Sequence, residues 1–358
     1  MSRARDFADL AGSADAGGLT GRNLIINGAA VIDQRNGGSS VTAGTGTYTL
    51  DRWRAYNNTD GVFTVQQVSD SPDEFSYSIK VTATTADSSL AAGQQAKVQQ
   101  RIEGYNVAPL ALGSSGAKSF TLSFYVKSSV TGTFGVGLIN SANDRSFVTS
   151  YAINSANTWE YKTITLAGDT SGTWLTTNGI GLNIQWSLGM GSNLEGTSGS
   201  WQAGEKSDAS GFTKLIGTLN ATWQITGVQL EVGEQATPFD HSESYGETLA
   251  KCQRYFQILK GSWFVALGTT QIRGMLEPIN APMRGAPTIG TQGGDINVGD
   301  MVGYGNNSGT APTQSSYVSS EYGQGVGVAG FASLTQYRVY RHEPNSTHAG
   351  LFTMDAEL

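Results

Sequence analysis

The chain has 358 residues, a formal net charge of −7 and 47 glycines, and only 14% of its residues are charged. The acidic balance argues against a nucleic-acid partner, whose phosphates require a basic surface. With 38% hydrophobic residues the chain can build a core, and its length suits two globular units rather than one. The apolar runs are far shorter than the roughly 20 residues of a membrane helix, so we expect no membrane insertion.

The first residues predict a short amphipathic helix. Ala4, Phe7, Ala8 and Ala11 recur at spacings of three and four after Ser2, a residue type favoured at the N-cap. Because the segment contains little else to pack against, the helix either docks onto another surface or frays as a free terminus. No apolar stretch follows the basic residues at the start, so we expect no secretory signal peptide.

From residue 22 onward, apolar and polar residues alternate with a period of two, which is typical of half-buried strands. The alternation is clear in five segments, residues 77–83, 120–126, 134–138, 180–186 and 223–230. In the last segment the alternation shifts by one residue at Gly227, and a β-bulge at this glycine keeps the apolar residues on one face of the strand. Many short strands with glycine-rich turns predict a mainly β fold, an antiparallel jelly roll or β-sandwich over residues 22–240.

The pattern changes near residue 240. Residues 241–256 include a glycine-poor stretch that predicts a linker helix, and residues 257–358 return to strands as a smaller C-terminal β domain. Trp263, Val265 and Leu267 alternate along one predicted strand, with the apolar residues on one face. Residues 285–325 are rich in Gly, Asn, Ser and Thr and predict long loops.

Motifs for cofactor and metal chemistry are weak. His241, His342 and His348 lie near no Gly-x-Ser-x-Gly elbow, and the last two lack an evident third metal ligand, so we expect no metal site. Residues 325–330 match the letters of a dinucleotide fingerprint, but no helix follows them, and glycines in a strand explain them better. We expect no cofactor.

Carboxylates and tryptophans outside the clear strand pattern are the candidates for a sugar-binding site. Glu195, Glu205 and Asp208 lie in predicted loops beside Trp201, as a glycosidase pair would, although loop carboxylates are usually only solvated. Trp174 and Trp201 lie outside any clear alternation, where a ring either stacks on a sugar or anchors a loop to the core. The candidate glycan-binding residues are therefore Trp174, Trp201, Glu195 and Asp208, with no catalytic residue. The remaining tryptophans in strand-like segments are assigned to the core, namely Trp53, Trp159, Trp186 and Trp223.

Two segments carry a resemblance to a known family. The opening segment comprises residues 23–28 (NLIING), 34–35 (QR) and 48–53 (YTLDRW). The closing segment comprises residues 223–233 (WQITGVQLEVG), 236–239 (ATPF) and 247–256 (ETLAKCQRYF). Both resemble the ends of a β-sandwich region found in many bacteriophage tail-fibre and related virion proteins. Residues 2–10 and 281–288 resemble other parts of such fibre proteins.

The resemblance implies a virion appendage with a carbohydrate-binding-module-like jelly roll. It implies a homotrimer that contacts other virion proteins and a host surface glycan or protein, and that is assembled in the bacterial cytoplasm. Residues 1–21 become a virion anchor with Phe7 and Leu10 as its apolar contacts. Residues 323–330 become a candidate for packing about a threefold axis.

Two other interpretations stay open. One is a tailspike-like glycan depolymerase using Glu195, Glu205 or Asp208. The other is a purely structural adaptor or head-decoration protein with no host ligand. Residues 56–220 depart from the family pattern, so any ligand preference is expected there.

Overall fold

The computed structural model describes residues 21–259, 263–276, 278, 282–292, 296–300, 306–309, 311–320, 322–331, 334–342 and 351–358. The predicted N-terminal helix, with Phe7 and Leu10, lies outside the described residues. Residue contacts divide the chain into two compact units, Met1–Thr248 together with Leu358, and Leu249–Glu357. This division falls within the predicted 241–256 segment. In the part of the chain that is described, no helix is long and apolar enough to cross a membrane.

The first unit is an antiparallel β-sandwich, as the alternation predicts. Its strands are β1 (Val41–Thr42), β2 (Thr45–Leu50), β3 (Trp53–Asn57), β4 (Val62–Val68), β5 (Ser78–Thr85), β6 (Gln95–Glu103), β7 (Phe120–Ser128), β8 (Gly132–Ile139), β9 (Arg145–Ile153), β10 (Glu160–Leu166), β11 (Ile180–Met190), β12 (Trp201–Ala203) and β13 (Thr222–Val232). One sheet has the order β1-β4-β5-β13-β7-β10 and the other β12-β9-β8-β11-β6-β3-β2. Short helical turns lie at α1 (Gly104–Val107) and at Ala108–Leu110, Ser192–Leu194 and Leu215–Gly217.

The two sheets enclose one apolar core. Alternate residues of β7, β8 and β11 are buried in it, among them Phe124 and Trp186. Trp186 contacts Trp53 with ring centroids 5.5 Å apart. The indole of Trp223 is also buried and donates a hydrogen bond to the Tyr151 hydroxyl at 2.8 Å. Three of the four predicted core tryptophans are thus confirmed.

The assignment of Trp159 to the core is wrong. Trp159 is half-buried in the turn before β10, and the ammonium of Lys127 lies 5.0 Å from its ring centroid. A residue next to a strand can share the strand's apolar composition without sharing its alternation, because the turn frees its side chain from the sheet's period of two.

The predicted bulge at Gly227 is confirmed. The register of β13 against β7 shifts between Thr226 and Gln229, and Gly227 has a φ of +60°. A Cβ on this glycine would lie 2.5 Å from the Phe75 ring. Glycine therefore satisfies both a left-handed backbone and a close ring contact at this position.

The second unit is a smaller β domain, as predicted. Its strands are β14 (Phe256–Leu259), β15 (Trp263–Ala266), β16 (Gln271–Leu276), β17 (Thr288–Gln292), β18 (Ile296–Asp300), β19 (Asn306–Gly309), β20 (Ala311–Ser320), β21 (Gly323–Ala329), β22 (Val339–His342) and β23 (Leu351–Asp355). They form a three-stranded sheet, β14-β23-β17, and a seven-stranded sheet, β19-β18-β22-β15-β16-β21-β20. A separate core includes Phe264 and Phe352.

Helix α2 (Tyr245–Gln253) runs across the division between the units and lies within the predicted linker. Its start carries a capping box. The Ser244 hydroxyl accepts a hydrogen bond from the Glu247 amide at 3.3 Å, and the Glu247 carboxylate accepts one from the Ser244 amide at 2.7 Å. These reciprocal bonds satisfy backbone donors at the helix start.

Two expectations for the C-terminal region are wrong. Residues 285–325 contain the strands β17 to β20 rather than long loops, because Ser and Thr suit a strand as well as a turn. The alternation of Trp263, Val265 and Leu267 would place these residues toward the core, but in β15 the residues between them are the buried ones. Trp263 and Val265 are 50% and 39% exposed, whereas Phe264 between them is 1% exposed. Both parities of this strand are apolar, so alternation alone does not decide which one is buried.

Replacing Gly227 with alanine tests the bulge. We expect Gly227→Ala to lower the free energy of unfolding by about 2–4 kcal/mol, because a side chain is strained at positive φ and collides with Phe75. Urea unfolding followed by tryptophan fluorescence measures the change. Gly93→Ala, where an added Cβ meets nothing within 4 Å, is the matched control and should change stability little. Equal stability of the two variants would contradict the account of the bulge.

Candidate functional site

The outer side of the seven-stranded sheet in the first unit carries a patch of polar and aromatic residues. In β6, Val98 points into the core, so Lys97, Gln99 and Arg101 point to the opposite side. The register places Gln99 between Arg54 of β3 and Gln185 of β11. We call this patch the polar face; it consists of Tyr48, Arg54, Tyr56, Lys97, Gln99, Arg101, Asn183 and Gln185.

The segment 192–217 bounds the polar face on one side. It lies over β8 so closely that a Cβ on Gly137 would come within 2.6 Å of Ser207. The Ser207 hydroxyl donates to Gln185 Oε1 at 2.6 Å, and the Lys97 ammonium donates to the same oxygen at 2.8 Å and to Glu205 at 3.0 Å. The segment therefore covers the outer side of β8 and contacts the edge of the polar face.

Gln99 is the unusual residue of the polar face. Gln99 is 1% exposed, yet neither its amide nitrogen nor its amide oxygen has a hydrogen-bond partner among the residues that the structure describes. Asn183, which faces Arg101 across the strands, is 5% exposed and has an unpartnered Oδ1. Most buried polar groups in proteins are bonded, and leaving one unbonded costs about 1–3 kcal/mol. The polar face thus holds unused donors and acceptors.

Two tyrosine rings flank these amides. The ring of Tyr56 lies under the guanidinium of Arg54, at 5.6 Å, and near the ammonium of Lys97, at 5.4 Å. The hydroxyl of Tyr48 and Nη1 of Arg101 both donate to the main-chain oxygen of Leu358, each at 2.6 Å. Leu358 groups with the first unit by its contacts. The polar face therefore combines planar rings with donors that converge on an acceptor oxygen.

The polar face is positively charged. Burial lowers the pKa of Lys97 to about 8, with the opposing effect of Glu205 and a further lowering by Arg54 and Arg101. Burial also lowers the pKa of Arg54, and the nearby Arg101 lowers it further. Three cations thus crowd one side of a sheet in a chain whose net charge is −7.

The structure places the two predicted sugar-stacking tryptophans together but inside the fold. Trp174 is 8% exposed, and its indole nitrogen donates to the carbonyl of Ser171 at 3.0 Å. Trp201 in β12 is half-buried, meets Trp174 edge-on at 5.4 Å, and donates to the carbonyl of Ala167 at 2.8 Å. In this arrangement Trp174 presents no face to a ligand, and the pair anchors β12 to the core.

The predicted carboxylates are likewise held within the fold. Glu195 forms an ion pair with Lys214 at 3.0 Å. Asp208 is fully buried, where it accepts hydrogen bonds from the Ser187 hydroxyl at 2.6 Å and from the Ala209 amide at 3.0 Å. Burial raises the pKa of Asp208 to about 6, and the neighbouring Glu195 adds to the rise. Asp208 is therefore a carboxyl group whose two oxygens are already bonded within the fold.

A separate cavity of about 330 Å³ lies in the first unit. Its lining includes Tyr77, Phe239, His241 and Tyr245, and the side-chain amides of Asn23 and Asn27 in this lining are bonded within the fold. The amide of Asn27 donates to the carbonyls of Ile32 and Asp51, at 2.8 and 2.9 Å. The polar face, in contrast, keeps unpartnered groups, and this makes it the stronger candidate site.

Sequence analysis missed the residues of the polar face. Its signal lies in residues 97–101, where Lys97, Gln99 and Arg101 alternate with Val98 and Gln100. Two cations spaced in this way stand out in a chain with few charges, and the side opposite an apolar stripe is expected to face outward. That Arg54 and Tyr56 of β3 join them follows only from strand order, which the sequence does not reveal.

Replacing Asp208 with asparagine tests the effect of its burial. Between about pH 4 and pH 6 the folded state retains a proton that the unfolded state has lost, so Asp208 destabilises the fold as pH rises through this window. We expect the stability difference, Asp208→Asn minus wild type, to increase by up to about 3 kcal/mol from pH 4 to pH 7, since each pKa unit is worth about 1.4 kcal/mol.

Urea unfolding at a series of pH values measures this difference. Asp73→Asn, at an exposed position, is the control for removing a carboxylate from the surface. A stability difference for Asp208→Asn that is the same at pH 4 and pH 7 would contradict the prediction.

No protein-family model matches the chain, and no curated protein matches it. Among solved structures, the enzymatically active domain of tailspike protein 4 of bacteriophage CBA120 is 14% identical at a TM-score of 0.32, covering 59% of this chain and 22% of that one. A CBM4 structure is 16% identical at a TM-score of 0.29, covering 58% and 98%. TmCBM61, in complex with β-1,4-galactotriose, is 9% identical at 0.30, covering 59% and 99%. This chain thus spans 22% of the tailspike chain, and TM-scores of this size carry no argument about function.

Proposed function

We propose that the β-sandwich of the first unit is a carbohydrate-binding module and that its polar face binds glycan. The observation that carries the proposal is Gln99, a buried amide with an unused donor and an unused acceptor. A sugar hydroxyl can both donate and accept, so it suits an amide that offers one of each. The ring of Tyr56 beside it suits the apolar face of a sugar.

We further propose that the protein is a bacteriophage tail-fibre or fibre-like appendage that contacts host surface glycan. The sequence resemblance over residues 21–256 supports this, because it brackets the sandwich that carries the polar face. In the proposal the protein is assembled in the bacterial cytoplasm and joins the virion through residues 1–21.

We propose binding without catalysis. Glycoside hydrolysis requires two carboxyl groups on either side of a scissile bond. Each of the three carboxylates considered has another role: Glu195 pairs with Lys214, Glu205 pairs with Lys97, and Asp208 is buried. Because these carboxylates are already engaged within the fold, the contacts support a binding function rather than a depolymerase activity.

Replacing Gln99 with methionine separates binding from stability. Methionine matches the volume of glutamine and removes its hydrogen-bonding groups. We expect Gln99→Met to raise the free energy of unfolding by about 1–2 kcal/mol, because an unpaired buried amide is lost. We expect the same variant to bind glycan roughly tenfold more weakly, because the ligand then loses its partners.

A glycan array and isolated bacterial surface polysaccharides supply the ligands for this measurement. Tyr161→Ala, 44% exposed on the outer side of the other sheet, is the matched control and should bind like the wild type. Unchanged affinity of Gln99→Met, or an absence of glycan binding by the wild type, would refute the proposed function. Release of reducing sugar from bound polysaccharide would favour the depolymerase.

We also propose that the protein is a homotrimer. An exposed apolar surface in the second unit supports association, since Trp263, Val265, Met275 and Val339 are each between 39% and 50% exposed on neighbouring strands. Large apolar surfaces of this kind commonly mark protein interfaces. Light scattering should give a mass three times the 37.7 kDa of the chain. A monomer mass across micromolar concentrations would contradict the trimer.

A further inference from the structure

We propose that the glycan bound by the polar face is acidic and that a carboxylate on one of its sugar residues pairs with Arg54. This inference rests on the proposed function, and it adds the chemical class of the ligand. It is based on the positively charged side chains around Gln99 and on which of them form ion pairs with carboxylates.

The cations of the polar face outnumber the carboxylates that contact them. Lys97 forms an ion pair with Glu205 at 3.0 Å. Arg54 forms no ion pair with a carboxylate of any residue that the structure describes, and its guanidinium contacts the ring of Tyr56 instead. The chain has 29 acidic residues and 22 basic ones, so three cations on two neighbouring strands depart from its overall balance.

The three cations also repel one another. Arg101 lowers the pKa of both Arg54 and Lys97, because a second positive charge nearby disfavours the first. A ligand anion placed among them removes this repulsion and gains charge-assisted hydrogen bonds. A neutral sugar gains neither.

The geometry suits a carboxylate in particular. Guanidinium groups bind carboxylates through two parallel N–H donors, which gives both strength and orientation. Arg54 and Gln99 face each other in register on β3 and β6, so an acidic sugar can place its carboxylate on Arg54 and a hydroxyl on Gln99. On the same face, the side chains of Arg101 and Tyr48 already donate hydrogen bonds to an acceptor, the main-chain oxygen of Leu358.

Matched pairs of oligosaccharides test the inference. Each acidic glycan on the array is paired with a neutral counterpart in which the carboxylate is reduced to a hydroxymethyl group. We expect the wild type to bind the acidic member at least tenfold more tightly. The preference should weaken as salt rises, because the pair that creates it is electrostatic.

Two substitutions of Arg54 locate the preference. Arg54→Gln removes the charge and should reduce the acidic-to-neutral ratio to about one, chiefly by weakening the binding of the acidic member. Arg54→Lys keeps the charge without the paired donors and should retain part of the preference. Lys127→Gln removes a cation from the outer side of the other sheet and should leave the preference unchanged. Thermal melting of each variant confirms that the fold is intact.

The outcomes separate the two proposals. Equal binding of acidic and neutral glycans by the wild type would overturn the inference and leave the proposed glycan binding standing. A preference that survives in Arg54→Gln would also overturn it, because the carboxylate would then bind elsewhere. If neither member of any pair binds, the proposed function and this inference both fail.

Discussion

The pairing of β6 with β11 is the constraint on which both sides of the seven-stranded sheet depend. Val98 faces Trp186 across the two strands and points into the core, while Gln99 and Gln185 face each other on the opposite side. Because side chains alternate with a period of two, a slip of one residue between these strands would bring either Gln99 into the core or Trp186 out of it. The contact of Trp186 with Trp53 therefore also fixes the position of the polar face.

The polar face places charge where water is largely excluded, which is costly unless other groups compensate. The fold compensates for only part of this charge. Lys97 donates hydrogen bonds to Glu205 and Gln185, and the ring of Tyr56 makes cation–π contacts with Arg54 and Lys97. The side-chain amide of Gln99 has no hydrogen-bond partner in the described part of the chain. Incomplete compensation of this kind is typical of a binding surface, where the ligand supplies the missing groups.

Features that depend on the local alternation of apolar and polar residues can be predicted from the sequence. The strands of the sandwich follow from alternation, and the bulge at Gly227 follows from a slip in it. Periodicity fails where both parities of a strand are apolar, as at Phe264 and Val265, since burial then depends on which neighbours pack against each side. It also fails for the polar face, because Arg54 and Gln99 are 45 positions apart and meet only through the order of strands in the sheet.

The segment 192–217 links the sugar site predicted from the sequence to the site proposed on the polar face. Sequence analysis selected this segment for its carboxylates and tryptophan, and the structure uses the same residues to hold it in place. Trp201 anchors it to the core, Asp208 bonds to β11 through Ser187, and Glu205 reaches Lys97. Because the segment fixes one side of the polar face, a change in its length would alter the space available to a ligand while leaving Arg54 and Gln99 in place.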